Sequence, residues 1–401
     1  MIQRYRTLLA IPDALGFVIP GFVGRLPAAM RALGCVLLIT GANRSYALAG
    51  VVTAVLTLAQ AMTTPWLGRL SDRNGQRPVL LLALTVHSLG LSGLILAVQL
   101  QAPIWTLLAA AAVAGASVMP IGSLVRARWA ALVTNMAIPG STLRQAYGLE
   151  SVLDEVLFVV GPFLVAALAF GLFPAAGLLA VLVLVTIGTL GLATNSRTAP
   201  SPVRDRSSGK SSAIAIAGMR VLVLTFVGLG IIFGSIEVAL LAFAKERDSS
   251  WAAGVLISLF TVGSLVAGFI YGARDWRGRP ERRFALAVAW LFLGTVPILL
   301  SGSVSLMALS VTLAGIAIAP AAISSSTLLT ALLPRSAITE GFAWFSTATI
   351  VGGAVGTAAA GWAVDHHGAR PAFFVTFTGG AMALAAVLVG ARHVRSEPVY
   401  A

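Results

Sequence analysis

Long apolar runs, each about as long as a bilayer is thick, recur from one end of the chain to the other. They carry no strict alternation, so they read as helices and not as barrel strands. Twelve spans are predicted, at roughly 12–40, 45–67, 77–99, 104–127, 147–171, 174–195, 219–243, 251–272, 283–301, 304–328, 340–363 and 370–391. Gly and Pro are frequent within them, as membrane helices tolerate. The stretch "NSRTAPSPVRDRSSGKSSA" interrupts the pattern: it is polar, Ser- and Pro-rich and basic. It divides the chain into a first half over 1–195, a linker over 196–218 and a second half over 219–401. The expected fold is all-α, with twelve transmembrane helices in two pseudo-symmetric six-helix bundles.

Composition agrees with this pattern. The chain is 58% hydrophobic and 10% charged, whereas soluble domains are about a quarter charged. The net charge of +13 would suggest nucleic acid in a soluble protein, but here the placement of the charges matters more. With the N-terminus inside, cytoplasmic segments hold 21 of the Lys and Arg residues and external loops hold 4. That asymmetry predicts a cell-membrane protein with both termini cytoplasmic. The partners implied are the lipid bilayer and a small-molecule substrate, with no nucleic acid and a monomeric chain. The first span lacks a small-residue cleavage pattern and is expected to be retained. Cys35 is the only cysteine, so no disulfide forms within the chain and no Cys-based metal site is expected.

An internal repeat supports two related halves. "GASVMPIGSLVRARWAALV" (115–133) aligns with "GIAIAPAAISSSTLLTALL" (315–333), matching Gly115 with Gly315 and Pro120 with Pro320. The fourth and tenth spans are therefore expected to be equivalent.

The loop after the second span reads "GRLSDRNGQRP". It resembles the signature loop of the major facilitator superfamily, Gly-x-Leu-x-Asp-Arg-x-Gly-x-Arg, with Gly68, Leu70, Asp72, Arg73, Gly75 and Arg77 in place. A weaker copy, "GARDWRGRP", brings Asp275 and Gly278 to the matching loop of the second half. "VVGP" in the fifth span resembles the Gly-Pro element of the superfamily's antiporter motif at Gly161 and Pro162. The resemblance covers the whole chain. It implies a secondary transporter working by alternating access, with no cofactor, no enzymatic activity and a proton gradient as energy source. It also implies that Asp72 faces the N-terminus of helix 11, near Thr339 and Glu340, as a conformational latch. The partial antiporter motif points to efflux of a drug or metabolite. A proton-coupled importer of a small polar metabolite and a non-transporting sensor are the alternatives. No ATP-binding loop and no Asp-rich metal motif occurs, which argues against a pump or an intramembrane transferase.

Charges inside the spans are the candidate site, because a central ionisable group costs roughly 2.5–3.5 kcal/mol on insertion scales. Arg25 lies near mid-span beside Pro27, either lining the cavity or pairing with helix 5. Arg31 is expected to snorkel outward, and His87 to be structural. A loose match of Gly24 with Gly234 puts Glu237 at the depth of Arg25, as a pairing partner across the cavity or a proton carrier. The alternative for Glu237 is a hydrogen bond within its own bundle. In "LESVLDEVLFVVGP", Glu150 and Asp154 share a helical stripe with Gly161, and Glu155 is turned away. Glu150 is expected in a cytoplasmic charge network with Arg126 and Glu340. Asp154 or Glu155 is expected to neutralise Arg25 or to carry a proton.

Overall fold

The computed structural model describes residues 2–44, 46–136, 140–202, 212–274, 276 and 279–393. The first half contains α1 (Ile2–Leu9), α2 (Leu15–Gly41), α3 (Tyr46–Asn74), α4 (Gln76–Gln99), α5 (Ile104–Ala116), α6 (Ile121–Asn135), α7 (Gly140–Gly171) and α8 (Ala176–Thr194). The second contains α9 (Ala217–Lys245), α10 (Ser250–Ala273), α11 (Pro280–Leu300), α12 (Val304–Gly315), α13 (Ile318–Leu332), α14 (Ile338–His367) and α15 (Ala369–Val389). Among the described residues there are 12 segments long and apolar enough to cross a membrane. Two of them are split: α5 and α6 form one span, and α12 and α13 another.

The splits fall at the two copies of the repeat. Pro120 stands immediately before α6 and Pro320 in the first turn of α13, where a missing N–H is tolerated. Gly115 and Gly315, just before the breaks, let neighbouring backbone come close. A Cβ on Gly115 would collide with the Leu56 carbonyl of α3, and one on Gly315 with the Phe260 carbonyl of α10. The same crossing is thus built twice.

The apolar core consists of three main clusters. One lies at the end bearing the signature loop, where Arg69, Arg73, Arg77, Arg282 and Arg335 also gather; we call it the basic end. This cluster draws on both halves: Leu67, Trp129 and Tyr147 share it with Leu328, Ile338 and Phe342. Of the other two, one contains only first-half residues, such as Leu38, Leu94 and Leu178. The other contains only second-half residues, such as Leu240, Met307 and Phe373. The halves are therefore welded at the basic end and have separate cores at the opposite end.

Candidate functional site

Where the halves meet, α3 lies against α14, and α7 against α10. Gly68 permits the first contact: a Cβ there would sit 2.9 Å from the Thr339 carbonyl and 3.1 Å from the Glu340 Cα. Four residues on, Asp72 Oδ2 accepts the Glu340 amide at 3.0 Å. An unpaired N–H in the first turn of α14 thus meets a carboxylate at the positive end of the helix dipole. Thr347 of α14 adds a bond to the Ala61 carbonyl of α3, 3.0 Å long. Gly75 joins α3 to α4 at φ 84°, a conformation that favours glycine. Arg73 and Arg77 are exposed beside it. Asp275 and Gly278 of the second copy lie outside the described residues.

The α7–α10 seam is held differently. Gly148 and Gly272 pack backbone to backbone, so that a Cβ on Gly148 would lie 2.6 Å from the Gly272 Cα. Tyr5 of α1 closes the same point from below. Its hydroxyl donates to the Phe269 carbonyl at 3.2 Å, and its ring lies 5.2 Å from that of Phe269. Burial pushes the Tyr5 phenol up to about 12, so it stays a donor at physiological pH. Further along the seam, Glu155 of α7 accepts from Ser264 Oγ of α10 at 2.6 Å.

Arg25 sits in a four-charge cluster inside the first half. Its Nη1 donates to Asp154 Oδ1 at 2.8 Å, and its Nε to the Gly21 carbonyl at 3.1 Å. Its Nη2 approaches Glu150 Oε2 to 2.6 Å, an ion pair out of hydrogen-bond alignment. Asp154 Oδ2 takes a second guanidinium, Arg126 Nη2, at 2.6 Å. Glu150 is fully buried, and its other oxygen accepts from Trp129 Nε1 at 2.8 Å. Two cations and two carboxylates are thereby balanced, which removes the penalty of an isolated buried charge.

Several expectations change. Glu150 does not reach Glu340; it is deep in α7, against Arg25 and Trp129, and joins Arg126 only through the Arg25–Asp154 pair. Glu340 instead binds the end of the linker, accepting from Ser212 Oγ and, at 3.1 Å, from the Ala213 amide. Arg69 approaches Glu340 only to 3.8 Å. Arg25 pairs with Asp154 and Glu150, not with Glu155 or Glu237. Glu237 stands twice as far into α9 as Arg25 does into α2, which puts it roughly 15 Å of helix rise further from the basic end. Arg31 does not snorkel: it is buried in the first half, bonded to Gln60 Oε1 at 3.4 Å and lining a small cavity with His87 and Ser117. His87 donates Nδ1–H to the Ala114 carbonyl at 2.7 Å, a group beside the α5–α6 break. Gly161 packs on α2, where its Cβ would lie 2.6 Å from that of Ala29, and Pro162 follows it within α7.

A profile of the Major Facilitator Superfamily matches residues 14–300. The chain belongs to this superfamily. Among solved structures, a bacterial homologue of the iron transporter ferroportin in its outward-facing state superposes with a TM-score of 0.75 at 14% identity, covering 96% of this chain and 99% of that one. The human organic anion transporter MFSD10 gives a TM-score of 0.71 at 17% identity, covering 94% of this chain and 100% of that one. The transporter FucP in its outward conformation gives 0.68 at 14% identity, with 96% and 99% covered. No curated protein matches the sequence. At these identities the likenesses establish the shared fold. As a superfamily member of this architecture, the protein is a multi-pass membrane transporter.

Proposed function

We propose that the protein is a proton-coupled exporter of a small solute, acting as a monomer in the cell membrane with its basic end in the cytoplasm. The observation that carries the reading is the core itself: one apolar cluster shared by both halves at the basic end, and separate clusters at the other. That is the arrangement of a rocking carrier open on one side. The basic end, by the positive-inside rule, is the cytoplasmic one. The Asp72–Glu340 bond and the Gly148–Gly272 crossing are the contacts that must part for the site to reach the cytoplasm.

Glu155 is the first candidate for proton coupling. Its carboxylate lies on the α7–α10 seam with Ser264 as its bonded partner. A proton there changes the electrostatic cost of closing the seam. Asp154 is the second candidate, because its protonation would release Arg126 and loosen Arg25. The Gly-Pro element at Gly161 and Pro162 favours export over import.

The reading is tested by electron–electron distance measurements on spin-labelled protein in lipid nanodiscs, with Cys35 replaced. One label pair, Thr134→Cys with Arg335→Cys, reports the basic end; the other, Leu172→Cys with Lys245→Cys, reports the opposite end. Alternating access predicts two populations at each pair, anticorrelated between the ends and shifted by pH, with the shift reduced in Glu155→Gln. One fixed distance at both ends across pH 5–8 (roughly the range in which a coupled group titrates) would identify a static scaffold or sensor instead.

A further inference from the structure

The first half buries one cation that the balanced cluster leaves out. Arg25 and Arg126 are matched by Glu150 and Asp154. Arg31 of α2 is buried too, and a guanidinium keeps its charge at any physiological pH. It makes no ion pair among the described residues. Its one hydrogen bond there is the long contact with Gln60 Oε1, which uses one of its donors. A buried charge without a countercharge is strongly unfavourable. Arg31 lines a cavity walled by α2, α4, α8 and the α5–α6 break, a space about the size of one water molecule.

Two further features meet at this cavity. His87 gives Nδ1–H to the Ala114 carbonyl, and its buried Nε2, on the other edge of the ring, has no hydrogen-bond partner among the described residues. α6 also begins here, with Met119 and Ile121 in the wall. The Gly122 and Ser123 amides of its first turn make no backbone hydrogen bond among the described residues, so the positive end of the helix dipole adds to the Arg31 charge. The break itself does not need these polar groups. Gly90 of α4 packs on Ala114, and Gly294 of α11 packs on Ala314, the equivalent of Ala114 in the repeat. Three residues before these glycines stand His87 and Leu291, and the counterpart of Ser117 is Ala317. Leu291 and Ala317 are buried. The second crossing is thus built from apolar side chains where the first has an imidazole and a hydroxyl.

We propose that this cavity binds one small monovalent anion, of halide size, together with a proton on His87. Arg31 and the start of α6 supply the positive charge, and Thr189 adds a hydroxyl to the wall. In its neutral form His87 turns a lone pair toward the cavity, which repels an anion. Protonation makes Nε2 a donor, and the anion offsets the new charge against Arg31. Each ligand therefore raises the affinity for the other. Around the cavity Arg31 is the one permanent charge. Cys35 stands one turn along α2 from it, α3 brings Gln60, and α8 and the break bring Thr189 and Ser117, which do not titrate. No carboxylate pairs with His87 among the described residues. The site does not rest on the transport reading.

The test uses the purified full chain in lipid nanodiscs, with chloride as the probe and gluconate, too large for the cavity, holding ionic strength constant. Chloride should raise the midpoint of thermal unfolding saturably, and more at about pH 5.5 than at about pH 8, which bracket imidazole titration. Adding chloride to a weakly buffered sample should draw up to about one proton per chain from solution, read with a pH-sensitive dye. Arg31→Gln should weaken chloride binding about ten-fold or more. His87→Gln removes the titrating ring and leaves Arg31, so it should still respond to chloride but take up no proton. That variant carries the test if Arg31→Gln does not fold. A midpoint that does not distinguish chloride from gluconate at either pH means that the cavity holds only water, and overturns the proposal. So does unchanged chloride affinity in folded Arg31→Gln, or undiminished proton uptake in His87→Gln. Neither readout involves a gradient or flux, so the site and the export reading stand or fall separately.

Discussion

Glu150 ties two elements of the first half to α7. It is fully buried, it holds Arg25 on one oxygen and it receives Trp129 Nε1 on the other. Removing a partner from such a cluster leaves a charge in low dielectric, which costs about 3–5 kcal/mol. Arg25→Ala should therefore lower stability by about that amount in reversible denaturant unfolding, and Arg25→Ala with Glu150→Gln should recover part of it. A single Arg25→Ala variant as stable as the parent would mean that the cluster is structurally idle. Trp129→Phe deletes the donor and also shrinks a fully buried side chain, so its loss in the same experiment should exceed that of the unpaired oxygen alone, about 1–3 kcal/mol. The stripe joining Glu150 and Asp154 was legible in the sequence, but the depth of Glu150 was not. Hydropathy starts the fifth span near residue 147, because "GSTLRQAYG" is too polar to register. The helix starts at Gly140. Those additional turns, roughly 10 Å of rise, carry Glu150 from the expected end of the span into the interior.

At the scale of elements, the proposed latch between α3 and α14 rests on one glycine and one carboxylate. Asp72→Asn keeps an oxygen able to accept the Glu340 amide but removes the charge at the helix N-terminus. That interaction is worth roughly 0.3–1 kcal/mol, so the population open at the basic end should rise about two- to five-fold. The Thr134–Arg335 label pair reads it directly. Gly68→Val should act more strongly in the same direction, since its Cβ meets Thr339 and Glu340 backbone that cannot yield without moving α14. An unchanged distance distribution in Gly68→Val would place the latch elsewhere. This contact was legible in advance through the resemblance of the loop to the superfamily's signature, which implies that Asp72 faces the start of the eleventh span. The α7–α10 seam left no comparable mark. Gly148 and Gly272 are ordinary glycines in sequence, and Tyr5 precedes the first span. Their meeting depends on packing between segments more than 100 residues apart.

For the whole molecule, the repeat at 115–133 and 315–333 correctly indicated two related halves, and both copies break at the same place. The bounds of α2 and α9 correct the depth of Glu237, which the Gly24–Gly234 match set too close to Arg25. The charge asymmetry yields a prediction at this scale. In intact cells, a membrane-impermeant maleimide should label Leu172→Cys and Lys245→Cys but not Thr134→Cys or Arg335→Cys. Labelling of the second pair alone would invert the orientation. The balanced cluster around Arg25 has a further electrical meaning. A unit charge carried across the membrane field exchanges about 2.3 kcal/mol per 100 mV. Two guanidinium groups and two carboxylates that move together carry no net charge through that field. Rocking of the cluster is then indifferent to membrane voltage. Voltage dependence of transport then points to charges outside the cluster, such as Glu155, or to a proton taken up by Asp154 within it.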